Sequence, residues 1–128
     1  MSYYFNKTLT ASFDDVVART TAALKAEGFG IITEVDVQKT LKDKIGVGFR
    51  KYRILGACNP QLAFEALQLE DKVGTMLPCN VVVQERDPGK IEVAAIDPVA
   101  SMQAIDNPLL KEAASQVAER LMRVIDAI

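Results

Sequence analysis

The sequence predicts an α+β fold, a mainly antiparallel sheet covered by two long helices. Three observations lead to it. Runs rich in β-branched and aromatic residues alternate with stretches of helical periodicity in the order β-α-β-α-β-α-β-β-α. Two of the helical stretches are long and carry an apolar stripe on one side, as a helix lying on a sheet requires. Few strand pairs have the long right-handed crossovers of a doubly wound parallel sheet, and one adjacent pair is joined by a short Pro-Gly turn. The 128 residues are expected to form one domain, 1–128.

Residues 3–10, aromatic and Thr-rich, read as the first strand. Ser12 is placed to cap a helix over 12–27, with Asp15 three residues on and Phe13, Val16, Val17, Thr20 and Leu24 on one face. Gly28 is its stop signal. Gly30 to Val35 is a short β-branched strand. Asp36 then caps a short helix with Val37, Leu41 and Ile45 on one stripe, ended by Gly46. Phe49 to Cys58 reads as the third strand, with Tyr52, Ile54, Gly56 and Cys58 on one face. Asn59-Pro60 starts a helix carrying Leu62, Ala63, Ala66, Leu67 and Leu69. Cys79 to Glu85, centred on three valines, is a strand buried on both faces at its middle. The turn Asp87-Pro88-Gly89-Lys90 returns it as a hairpin over 91–96, and Asp97-Pro98 breaks that strand. A helical turn is expected over 99–105 around Met102. Asn107-Pro108 starts the last helix, whose seam is Leu110, Ala114, Val117, Leu121, Val124 and Ile128.

Composition narrows the function classes. Hydrophobic residues make up 49% and charged residues 25%, so neither a disordered chain nor a disulfide scaffold fits. There is no His, which removes His-based triads, His metal sites and HExxH zincins. No apolar run approaches the ~18 residues of a membrane span, and the first residues lack the basic and apolar regions of a secretory signal. Two cysteines without CxxC spacing suit free thiols in a reducing cytoplasm. The net charge is −2, yet Lys39, Lys42, Lys44, Arg50, Lys51 and Arg53 crowd one segment opposed only by Asp43.

Three stretches are familiar together: Asp36-Val37-x-x-Thr40-x-Lys42, Phe49-x-x-Tyr52-x-Ile54-Leu55-Gly56-Ala57-Cys58-Asn59-Pro60, and Leu77-Pro78-Cys79-Asn80-Val81. They resemble the bacterial and archaeal family called domain of unknown function 302, from about residue 3 to about 127. The resemblance implies a compact α+β fold of the TATA-box-binding-protein-like class and a dimer. It implies no established activity. The fold name refers to shape, and DNA binding does not follow from it.

Two constellations bear on chemistry. Cys58-Asn59 and Cys79-Asn80 form the first, the candidate ligand-binding residues. Cys58 ends a strand just before a helix N-terminus, where the helix dipole favours an anion and a thiolate. If residues 52–58 pair antiparallel with 79–85, the two thiols come close. They are then placed to bind a soft metal, to carry sulfur or to form a reversible disulfide. The plainer alternative makes both cysteines small buried hydrophobes and both asparagines braces for turns. Lys44, Arg50, Lys51 and Arg53 beside Gly46-Val47-Gly48 form the second, a candidate anion site built on backbone N–H groups. No phosphate-loop pattern is present, and the plainer alternative is a solvated basic face guarding an edge strand. Asp36 and Asp97 read as cap and turn residues. Met76 and Met102 read as core filling, with thioether ligation of copper(I) or haem as the alternative.

The expected function is a small cytoplasmic ligand-binding or thiol-handling module with its site at the Cys58/Cys79 end of the sheet. The alternatives are a cysteine-dependent enzyme lacking a His base and a structural or regulatory interaction domain. The expected partners are a second copy of the chain and a small anionic or soft-metal ligand, with no specific nucleic acid and no membrane. No cofactor is indicated.

Overall fold

Helices begin where the capping residues mark them. Ser12 Oγ accepts from the Asp15 N–H at 3.2 Å, Asp36 Oδ1 from Lys39 at 3.0 Å, and Asn59 Oδ1 from Leu62 at 3.1 Å. Asn107 Oδ1 accepts from both Leu109 and Leu110, at 3.1 and 3.3 Å. Each bond satisfies one of the N–H groups that a first helical turn leaves without a partner. In the computed structural model, which describes residues 2–128, the elements follow in order. They are β1 (Tyr4–Thr10), α1 (Phe13–Ala26), β2 (Gly30–Asp36), α2 (Val37–Ile45), β3 (Tyr52–Cys58), α3 (Pro60–Leu69), β4 (Cys79–Asp87), β5 (Lys90–Ile96), α4 (Pro98–Ser101) and α5 (Pro108–Ala127). A 3₁₀ helix at Asp71–Met76 links α3 to β4.

The five strands form one antiparallel sheet in the order β1-β5-β4-β3-β2. The expected hairpin is there: Val81 pairs with Ala95 and Val83 with Val93, and the chain turns at Pro88-Gly89, where Gly89 takes φ 77°. Side chains alternate across the sheet. Leu55, Val81, Val83, Ile91, Val93 and Ala95 point to one face and are fully buried. There they meet Phe13, Val16 and Leu24 of α1 and Leu121, Val124 and Ile125 of α5. This is the sheet under two long helices that the sequence predicts. A second, smaller core joins Ala66 of α3, Val73, Met102, and Leu110 and Ala114 of α5. α5 therefore serves two cores, its first half the small one and its second half the large one.

Four expectations need correction. Residues 49–51 are not strand; β3 begins at Tyr52. The 3₁₀ helix was not foreseen, because Asp71-Lys72-Val73-Gly74-Thr75-Met76 carries no amphipathic period, and Val73 is its one fully buried side chain. α2 buries none of its residues, and Ile45 is 67% exposed, because the helix stands beside β2 and β3 and not under the sheet. Val117 is only half-buried, since α5 turns its Ala118 and Leu121 inward and leaves Val117 against an open space described below.

Candidate functional site

The antiparallel register decides which signature residues meet. Ala57 pairs with Cys79, so Cys58 lies one residue beyond the Cys79 pair and beside Gly30 on its other flank. Cys58 is half-buried and Cys79 is 7% exposed, and neither forms a disulfide. Asn59 follows at once as the cap of α3. Its side chain takes the Leu62 N–H and its carbonyl takes the Ala63 N–H at 2.9 Å, while Pro60 has none to offer. The cap bond and the missing Pro60 N–H use up part of the anion-favouring end of this helix. Behind it, Gly28 (φ 85°) lets the chain pass: a Cβ there would stand 2.9 Å from Asn59 Nδ2.

Cys58, Asn59 and Cys79 share a wall of one cavity of about 330 Å³. It lies between the large and the small core. Phe29, Ala57 and Cys79 come from the first, and Ala66, Met102, Leu110 and Ala114 from the second. Val117 of α5 and Pro78 before β4 complete much of the wall, and the Leu77–Pro78 peptide is cis. Burial pushes the Cys79 thiol up to about 11, and the neighbouring Cys58 adds to the shift. Cys79 is therefore a neutral thiol at physiological pH and not a nucleophile. No group of three or more His, Cys, Asp or Glu able to hold a metal occurs among the described residues.

The other expected site residues go elsewhere. Asn80 pairs with Gly56 and turns to the opposite, uncovered face of the sheet, where it is exposed beside Tyr52 and Gln84. One step along a strand reverses the side chain, so the two Cys-Asn pairs do not form one constellation. The four cations do not converge either. Arg53 binds Glu34 at 3.3 Å and Asp36 at 3.8 Å and covers the Phe13 ring. The Arg50 Nε donates to Gln84 Oε1 at 2.9 Å, and its guanidinium lies 4.4 Å from the centre of the Phe49 ring. Lys51 leans toward Phe13 from the helix side, and Lys44 stands exposed in the last turn of α2. Protein carboxylates and rings occupy the arginines, and no anion cradle results.

A family model described as domain of unknown function DUF302 matches residues 5–128. The chain belongs to that family. A crystal structure of an uncharacterized conserved DUF302 protein from Bacillus stearothermophilus has the same fold. Its TM-score is 0.91 at 29% identity, with 99% of this chain and 98% of that one covered. A search of curated proteins finds no match.

Within this DUF302 chain, the cavity itself was missed from sequence. Its signal was present in four alanines, Ala63 and Ala66 on α3 and Ala113 and Ala114 on α5. Small side chains on two neighbouring helices leave space where larger ones would close it. The polar strip on the uncovered sheet face was missed as well. Asn6 donates to Glu92 at 3.0 Å, Gln84 donates to the other Glu92 oxygen at 2.9 Å, and Arg50 donates to Gln84. These residues are far apart in sequence and meet only through the strand order.

Proposed function

We propose that this DUF302 protein is a small-molecule binding module whose site is the cavity at the Cys58/Cys79 end of the sheet. One observation carries the reading: a cavity of about 330 Å³ sits where both thiols meet the start of α3. That volume lies at the lower end of the range for ligand pockets. The thiols then act as soft contacts for the bound molecule. An enzyme using Cys58 as nucleophile has less support, because no carboxylate, lysine or arginine lines the cavity among the described residues to serve as a base or charge partner. Two free thiols suit a reducing compartment, the cytoplasm. No helix of the described residues is long and apolar enough to cross a membrane.

The test is binding of 1-aminonaphthalene, a neutral fluorescent dye small enough for the cavity, to the whole protein. Fluorescence should rise on binding, and Ala63→Phe, at a half-buried position of the wall, should abolish the rise while leaving the circular dichroism spectrum intact. Dye binding equal in both proteins ends the proposal. A soft-metal module is the second reading, favoured by Met102 lining the same cavity as Cys58 and Cys79. Native mass spectrometry after incubation with copper(I) under reducing conditions decides it: an ion retained by the wild type and lost in Cys58→Ser supports the metal, and bare protein excludes it.

The homodimer is a proposal of the same kind. Its specific support is the uncovered sheet face, where half-buried Ile54, Val82, Ala94 and Ile96 lie beside a polar strip already paired within the chain.

A further inference from the structure

We infer that the cavity takes an uncharged, predominantly apolar ligand, not the anion expected from the sequence. The inference rests on the binding reading above and narrows it to a substrate class. A buried ionised group needs a partner, and burying one without a partner is among the most costly steps in binding. None of the residues lining this cavity is charged, among the described residues. The polar groups at its wall are few and mostly engaged. The Asn59 Oδ1 is held by Leu62, the backbone oxygen of Asn59 by Ala63, and Pro60 lacks an N–H. Two arginines of α5 are engaged at the end of α1: Arg120 Nη1 donates to the Glu27 carbonyl at 3.1 Å, and Arg123 pairs with the Glu27 carboxylate at 2.9 Å. What remains is aliphatic surface, the Phe29 ring, the Met102 thioether and two thiols. Sulfur and aromatic contacts favour polarizable apolar groups.

Size and entry agree with this class. At the roughly 30 Å³ that a water takes in the liquid, the space holds about eleven water-sized groups, enough for a short alkyl chain or a small ring system. Ile32 and Leu67 belong to the lining and are 62% and 41% exposed, so the cavity opens past them. Ile32 is the extra residue of a bulge in β2, between the pairs Ile31–Ala57 and Thr33–Gly56. A bulge bends the strand and re-aims one side chain, here toward the opening. The rim at Ile32 and Leu67 is therefore apolar like the interior, and no charged residue belongs to the lining.

Displacement of 1-aminonaphthalene by three molecules of equal chain length tests the class: octan-1-ol, octanoate and octylammonium, at neutral pH with the full chain. Octanol should displace the dye, and both ions should need at least about 100-fold higher concentration. Octanoate within about tenfold of octanol overturns the inference. Ile32→Lys, an exposed position whose change leaves the core intact, should improve octanoate relative to octanol. If octanoate gains nothing, Ile32 does not form the opening and the entry argument falls. Dye that never binds, or that binds Ala63→Phe as well as wild type, defeats the binding proposal itself. A bound dye displaced best by an ion defeats only the ligand class.

Discussion

Gly56 shows how much one side chain can decide. It faces the uncovered side of β3, and a Cβ there would run into Thr33 Oγ1 and stand 2.7 Å from Pro78 Cγ. Gly56→Ala should lower stability by about 1–3 kcal/mol, the range for overpacking, read from urea unfolding; a change under about 0.5 kcal/mol would show that Thr33 and Pro78 yield freely. Cys79 carries a pH signature. Its folded pKa of about 11 lies above the usual thiol value near 9, so the folded state keeps a proton that the unfolded state releases. The stabilisation is complete below pH 9 and disappears as the pH rises toward 11, by about 2–3 kcal/mol. Cys79→Ala should flatten that part of the stability profile relative to wild type, and identical slopes would refute the assignment. At neutral pH the half-buried member of the pair should be the more reactive one. Iodoacetamide is expected to label Cys58 well ahead of Cys79, which is buried and protonated, and equal labelling in the folded protein would contradict this.

At the scale of elements, α5 does two jobs with one helix. Leu121 is fully buried against the large core, and Val117 one turn earlier is half-buried at the cavity wall. Leu121→Ala should destabilise by about 2–5 kcal/mol, as deletions from packed cores do. Val117→Asp separates the two jobs. It should cost less stability than Leu121→Asp, because its carboxylate can reach water through the cavity, yet it should abolish dye binding by charging the wall. Loss of folding with Val117→Asp, matching Leu121→Asp, would place Val117 in the core after all. The far end of the helix is held differently: the Lys7 ammonium donates to the Asp126 and Ile128 carbonyls at 3.1 and 2.9 Å, a cation set where the helix dipole favours one.

For the whole molecule, exposed area bears on the proposed dimer. The chain exposes 7455 Å², whereas a compact monomer of its mass should expose roughly 6,700 Å². The buried residues of the α5 seam are covered within the chain and offer a partner no surface. The uncovered sheet face does. Light scattering at micromolar concentration should give twice 14.0 kDa, and Val82→Arg on that face should return the protein to a monomer. A 14.0 kDa wild type, or a dimer untouched by Val82→Arg, would rule out this interface.

The local features of the fold were legible because local chemistry sets them. Ser12, Asp36, Asn59 and Asn107 announce helix starts through the bonds they form within three residues, and Pro88-Gly89 announces the hairpin through its backbone angles. Strand alternation and the seam of α5 revealed most of the core, and the nearness of Cys58 to Cys79 followed from antiparallel pairing. Tertiary structure alone decided the rest. Asn80 left the site because the pairing register put it on the other face, and Arg50 and Arg53 left the anion cluster because Gln84, Glu34 and Asp36 reached them first. The cavity depends on how far α3 and α5 stand from the sheet end. No single segment encodes that distance, because it is set by the fit of two separate cores at once.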